Sequence, residues 1–386
     1  MIIEFQSQEI YYANYNIMKI VVVGGGIAGY VSALMFAHRG RNKNLDIEIW
    51  EDPNKQPLNV GQASIVFLPS FLWASLGINW YNNPINALPK FGILYEGWSH
   101  KEEFFSSFSM DRVGLHMCPW DLRETILNSG LVNLVQKPIQ DISSVTADYI
   151  IDCRGMPDGD NLKNNYFPLQ SPVNSVVLGK PKKSIEDTFW SRHVATKDGW
   201  CFGIPTPTQS KSYPYSYGYL YNNEITSSEE ATDNFITQFD ISDITSSFSF
   251  NNYFTKEPIK DNIFLNGMRL FFLEPMEANS IETYLIWSQL CCDVVFGNLP
   301  KDTAVNILNN FIADIQDYLL FHYVYGSKYD TKFWDYASKF LSPHSRLHKV
   351  ISEVKDMSWM DVTEHSGQFA QWSYWNVKQW YDSMKK

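Results

Sequence analysis

The 386-residue chain has no stretch of eighteen or more apolar residues, so nothing in it reads as a transmembrane helix. Positive charge is also short. Thirty-one Lys and Arg against 42 Asp and Glu leave a net charge of −11, which argues against a nucleic-acid partner. Cysteine is scarce: Cys118, Cys153, Cys201, Cys291 and Cys292 are odd in number and lack metal-site spacing. That predicts no disulfide framework, no metal, and a reducing, cytoplasmic setting. Residues 1–17 carry neither the basic region nor the continuous apolar core of a signal peptide and read as a loose extension before Met18. No repeat or low-complexity segment follows. Aromatic residues, in contrast, are plentiful at 16%, with 13 Trp. They favour large packed interfaces, a flat-ligand pocket and self-association into a homo-oligomer.

The chain is organised around Lys19 to Gly29, KIVVVGGGIAG. The β-formers Ile20 to Val23 run into Gly24, Gly26 and Gly29, and a helical pattern over 27–39 follows. In a strand, G-x-G-x-x-G, helix unit, Gly24 allows the tight turn. Gly26 lets backbone approach a pyrophosphate, and Gly29 lets helix pack on strand. Gly25 and Ala28 belong to the same cofactor loop. Glu51 ends the next strand about twenty residues on, where an acid binds ribose hydroxyls. A dinucleotide site is expected here.

Further along, Phe67 to Leu76 reads as a helix closed by Gly77, and 89–98 as one alternating strand. Asp121 with Glu124 suggests a capping box. The polar, alternating stretch 161–250 suggests antiparallel strands, and helices are expected over 281–296, 303–323 and the tail.

At GWCFGIP (Gly199 to Pro205) the sequence resembles the flavin-dependent tryptophan halogenases, whose hallmark is G-W-x-W-x-I-P, with Phe202 in place of the second Trp. Other blocks follow in order. VGQASI (Val60 to Ile65) resembles V-G-E-A-T, and LPKFGILYEGW resembles the strand with the family's active-site lysine, here Lys90. IIDCRGM resembles I-D-C-S-G; FLEPMEANSI resembles F-L-E-P-L-E-S-T-G-I and puts the family's glutamate at Glu277. FHYVYGSKYDTKFW resembles H-Y-x-x-x-x-R-x-D-T-P-F-W.

The resemblance implies an α/β fold of the FAD-dependent monooxygenase type. A doubly wound lobe would span 18–160 and 260–300, an inserted β-sheet lobe 161–259, and a helical segment 301–386. It implies FAD, supplied as FADH2 by a separate flavin reductase, since no second dinucleotide motif is present. Ala63, Met268 and Ile281 would lie against the flavin, and the backbone at Asn279 and Ser280 would hold a chloride, bromide or iodide. Trp200, Phe202, Ile204 and Pro205 would form a wall between flavin and substrate. Hypohalous acid would be relayed to Lys90, whose amine holds the oxidant, with Glu277 as general base in the halogenation of an electron-rich aromatic, indole- or phenol-like. Rival readings are a flavin monooxygenase or oxidase of the same fold and a non-catalytic flavin-binding remnant. Without the resemblance, Lys90 would read as a solvated strand-edge lysine and Glu277 as a helix-terminus acid.

Overall fold

The computed structural model describes residues 17–55, 61–99, 101–108, 112–182, 188–205, 216–365 and 374–384. The loose extension expected over 1–17 lies, apart from Ile17, outside them.

Strand Met18–Val23 sits inside a six-stranded sheet, paired in parallel with Leu45–Glu51 on one side and Tyr149–Asp152 on the other. Asn133–Gln136 extends one edge; Ile263–Leu265 and Ile259–Lys260 extend the other. Ile20 to Val23 are buried on both faces, as a central parallel strand requires. Helix Ile27–Arg39 lies on one face beside helix Asn279–Val295. The turn between strand and helix needs glycine twice. Gly24 has φ +129°, and a Cβ there would stand 2.3 Å from the Cys153 carbonyl oxygen. A Cβ on Gly29 would stand 2.0 Å from the carbonyl oxygen of Gly24.

The second sheet has seven strands, in the order Ile241–Ser249, Ser175–Pro181, Ser216–Tyr221, Gly199–Ile204, Trp190–Thr196, Gly92–Glu96 and Glu103–Ser107. Its last two strands come from residues that the boundary at 160 assigns to the nucleotide lobe. The cause is a long-range pairing. Trp190–Thr196 has a free edge, and Gly92–Glu96 fills it in parallel from Trp190↔Gly92 to Val194↔Glu96.

The single strand expected over 89–98 is therefore two strands. Leu88–Lys90 pairs with Gly114–Met117 in a small sheet that also holds Gln62–Ala63, and the chain changes sheet at Phe91. There the Phe91 N–H donates to the Phe189 carbonyl at 2.7 Å. Helix Pro119–Asn128 likewise departs from expectation: it starts from Cys118 with Pro119 at its first position, and no side chain caps it.

Helices Lys301–Val324, Lys332–Ala337, Leu347–Asp356, Trp359–His365 and Tyr374–Ser383 close the chain. Leu308, Ile312, Ile315 and Leu319 bury one stripe of the longest of these, and Trp380 is buried completely. No helix among the described residues is long and apolar enough to cross a membrane. All five cysteines are buried as free thiols.

Candidate functional site

At the glycine loop, helix Ile27–Arg39 begins at Gly26 with no side-chain cap, and the space a Cβ on Gly26 would take is open. Uncapped N–H groups at a helix start suit a phosphate, so the residues present fit a dinucleotide. Ala28 faces Gly267, the first residue of the short 3-10 turn carrying Met268; a Cβ on Gly267 would come within 2.7 Å of it. Glu51 lies beside Gly25 at its strand's end. Its carboxylate already accepts from Arg123 Nη2 at 2.5 Å and the Tyr30 hydroxyl at 2.7 Å. Ala63 pairs across its small sheet with His116. Ile281 is buried, and Met268 is half-buried with its carbonyl accepting from the Tyr253 hydroxyl at 2.8 Å.

Glu277 stands in the 3-10 turn Met276–Ala278, directly before helix Asn279–Val295. Glu277 and Ala278 are both left-handed, at φ 66° and 53°. Each costs an L-residue about 1–2 kcal/mol, and such strain gathers at functional sites. Ala278→Gly is expected to raise unfolding stability in urea by about 1 kcal/mol, part of the relief being lost to added freedom of the unfolded chain.

The strain aims Glu277 inward, where it is 4% exposed. Its Oε1 accepts from His322 Nε2 at 2.8 Å, from the Tyr95 hydroxyl, and from the Tyr318 hydroxyl at 3.3 Å. His322 Nδ1 donates in turn to the Tyr318 carbonyl at 2.7 Å. Both ring nitrogens thus face acceptors. Burial by itself would raise the Glu277 carboxyl; the hydrogen bond and charge of His322 outweigh it and hold the group down at about 2.

Lys90 has a relative exposure of 0%, and its Nζ has no hydrogen-bond partner among the described residues. The nearest ring is Phe108, its centroid 5.4 Å from Nζ. Burial lowers the ammonium to about 8 against the opposing pull of Glu277, so amine and carboxylate share one interior field. Neither side chain is solvated.

On strand Gly199–Ile204, Trp200 and Phe202 are buried on the main-core face, Ile204 is half-buried, and Pro205 is buried just beyond. Glu274 fixes the Trp200 indole, accepting from its Nε1 at 2.9 Å while also accepting from the Tyr323 hydroxyl at 2.6 Å and from the Ser171 hydroxyl. Burial pushes the Glu274 carboxyl up to about 7, with the three donors opposing. Glu274→Ala would strand these buried donors, and urea unfolding is expected to show a loss of about 3 kcal/mol.

Asn279 and Ser280 are the first two residues of helix Asn279–Val295, which has no side-chain cap. The Asn279 side chain is buried and donates to the Met276 carbonyl at 3.1 Å. Near the acid, an open cavity of about 370 Å³ is lined by Phe104, Phe105, Trp359 and Trp375, with Lys101 and Asp382 among its other lining residues. Phe104 stacks on Tyr95 with ring centroids 5.1 Å apart.

The tryptophan halogenase family model matches residues 19–125 and 123–384. The chain belongs to the tryptophan halogenase family. Solved structures agree on the fold. MibH, a lanthipeptide tryptophan 5-halogenase, superposes with a TM-score of 0.81 at 17% identity, covering 97% of this chain and 86% of that one. A flavin-dependent halogenase from Xanthomonas campestris gives 0.76 at 17% identity, with 96% and 89% covered. A tryptophan halogenase from Shewanella frigidimarina gives 0.76 at 15%, with 95% and 89%.

In this member of the tryptophan halogenase family, three groups beside the expected pair escaped sequence reasoning: His322, Tyr95 and His193. His322 lies inside the quoted block FHYVYG, and Tyr95 five residues after Lys90. Alternation along 190–196 was the available signal for His193.

Proposed function

We propose that this chain is a flavin-dependent halogenase acting on an electron-rich aromatic, indole- or phenol-like, with FADH2 supplied by a separate flavin reductase. What carries the reading is a wholly buried, unpartnered amine and a buried carboxylate that sense each other's charge. Reduced FAD with O2 and a halide would supply hypohalous acid.

The chain's own residues do the rest. The N–H groups after Gly26 would take the pyrophosphate, Glu51 and Ala63 would line the nucleotide, and Met268 and Ile281 would pack on the ring. Backbone N–H groups of Asn279 and Ser280 would hold chloride, bromide or iodide. Trp200, Phe202, Ile204 and Pro205 keep water and substrate from the oxidant's source. Lys90 holds the oxidant by hydrogen bonding or as a haloamine; at about 8 its amine has a usable free-base fraction near neutrality. Glu277 takes the ring proton as the halogen enters.

Five free thiols suit the cytoplasm. Incubation with FAD, a reductase, O2 and bromide over an aromatic panel tests the reading by mass spectrometry. Bromine replacing hydrogen on one substrate supports it; hydroxylated product without halide dependence, or flavin binding with no product, overturns it.

A further inference from the structure

Strand Trp190–Thr196 runs between the wall strand Gly199–Ile204 and the Tyr95 strand, and it puts a buried histidine in the middle of the site. His193 is cross-strand partner to Phe202 on one side and Tyr95 on the other, so the three side chains form a row on one sheet face. Its ring centroid lies 4.8 Å from that of Trp200 and 5.3 Å from that of Tyr95. Its backbone is pinned, the carbonyl accepting from Trp98 Nε1 at 3.0 Å. Yet its Nδ1 is buried with no hydrogen-bond partner among the described residues. Folded proteins rarely leave such an atom unsatisfied.

Burial and then the charge of Lys90 keep the ring neutral, down to about pH 3. A neutral imidazole always carries one nitrogen with a free lone pair. His116, also buried, sensing Lys90 and likewise with an unpartnered Nδ1, differs in two ways: its Nε2 is engaged with the Ser191 hydroxyl at 2.9 Å, and among the described residues it makes no ring–ring contact with Trp200 or Phe202, whereas His193 stacks beside Trp200.

We propose that His193 is a halogen relay between the aromatic wall and Lys90. The proposal rests on the halogenase reading above. The imidazole lone pair attacks the halogen of hypohalous acid; the N–halogen bond forms as the O–halogen bond breaks, and the departing hydroxide takes the imidazolium proton as water. The Lys90 amine then attacks the halogen. A new N–halogen bond forms on lysine, the imidazole leaves with its electron pair, and the proton released by the ammonium returns to it. Lys90 and Glu277 complete the transfer to the arene.

Two experiments test this. The first omits flavin. Wild-type protein and the Lys90→Leu variant, which adds no thioether to the site, are treated with one equivalent of hypobromous acid, digested and mapped by mass spectrometry. With the amine gone the halogen should stop at residue 193, so a brominated imidazole is expected there in the variant and not in the wild type. No bromine at 193 in the variant would overturn the relay. The second measures halogenated product per flavin oxidised in His193→Phe and His193→Gln. Both are expected to fall at least tenfold, with hypobromous acid appearing in solution and melting temperature unmoved. A Phe variant that couples normally reduces His193 to packing, and recovery in the Gln variant reduces it to hydrogen bonding; either overturns the relay. If these variants fail to fold, the bromine map decides. Wild-type protein that makes no hypohalous acid sinks the halogenase reading itself, a result the flavin-free map distinguishes.

Discussion

Lys90→Met is expected to abolish halogenation and, at the same time, to make the protein more stable. The two effects share one cause. A lysine with no exposed surface and no hydrogen-bond partner among the described residues is held at about 8, from an ordinary 10.5, by burial that Glu277 offsets only in part. At pH 7 that displacement amounts to about 3 kcal/mol of destabilisation. Its sign follows from proton counting: between 8 and 10.5 the unfolded chain binds the proton and the folded chain does not, so this contribution becomes less unfavourable as pH rises through that window. Methionine keeps the length and removes the buried charge, so urea unfolding at pH 7 should show a gain approaching that figure. Product formation should fall at least about a hundredfold, the low end of what a positioned catalytic group contributes. Flavin oxidation should continue. A variant both less stable and still active would mean that Lys90 is an ordinary packing residue.

Glu277→Gln is the second large effect. Glutamine preserves the shape and can still accept from Tyr95, but it cannot take a proton from an arene. The turnover number should fall by about 10² to 10⁴ while substrate KM holds. Stability should respond to acid as well. The folded carboxyl sits at about 2, below its ordinary 4.5, because the bonds and charge of His322 outweigh burial. Its contribution is therefore present above 4.5 and lost as pH falls toward 2. The variant should lose that acid-dependent step in a pH series of urea midpoints. An unchanged slope would show that the Glu277–His322 pair is not ionised in the folded protein.

Local chemistry made part of this legible before any coordinates. Four β-formers before Gly24, and a Gly29 whose Cβ would collide with the Gly24 carbonyl, can be read from one stretch, because strand, turn and helix there are neighbours in the chain. The burial of Lys90 was not legible in this way. It depends on the chain changing sheets at Phe91 and on the pairing of Gly92–Glu96 with Trp190–Thr196, about a hundred residues away. Period-two alternation reports which residues share a face, not which sheet receives them. The same pairing carries residues 92–107 into the second sheet, across the boundary drawn at 160. His322 and Tyr95 converge on Glu277 from two separate elements, so no spacing announces them. The Asp121–Glu124 pattern misplaced a helix start because Pro119, already fitted to the first turn, began the helix three residues earlier.

The central claim is that the oxidised halogen never leaves the protein between the flavin chamber and Lys90. Turnover with bromide in a large excess of methionine, which destroys free hypobromous acid, tests this directly. Brominated product per flavin oxidised should match that without methionine in the wild type. Suppression of the wild-type yield by methionine would mean that the oxidant diffuses through solvent, and would contradict the account.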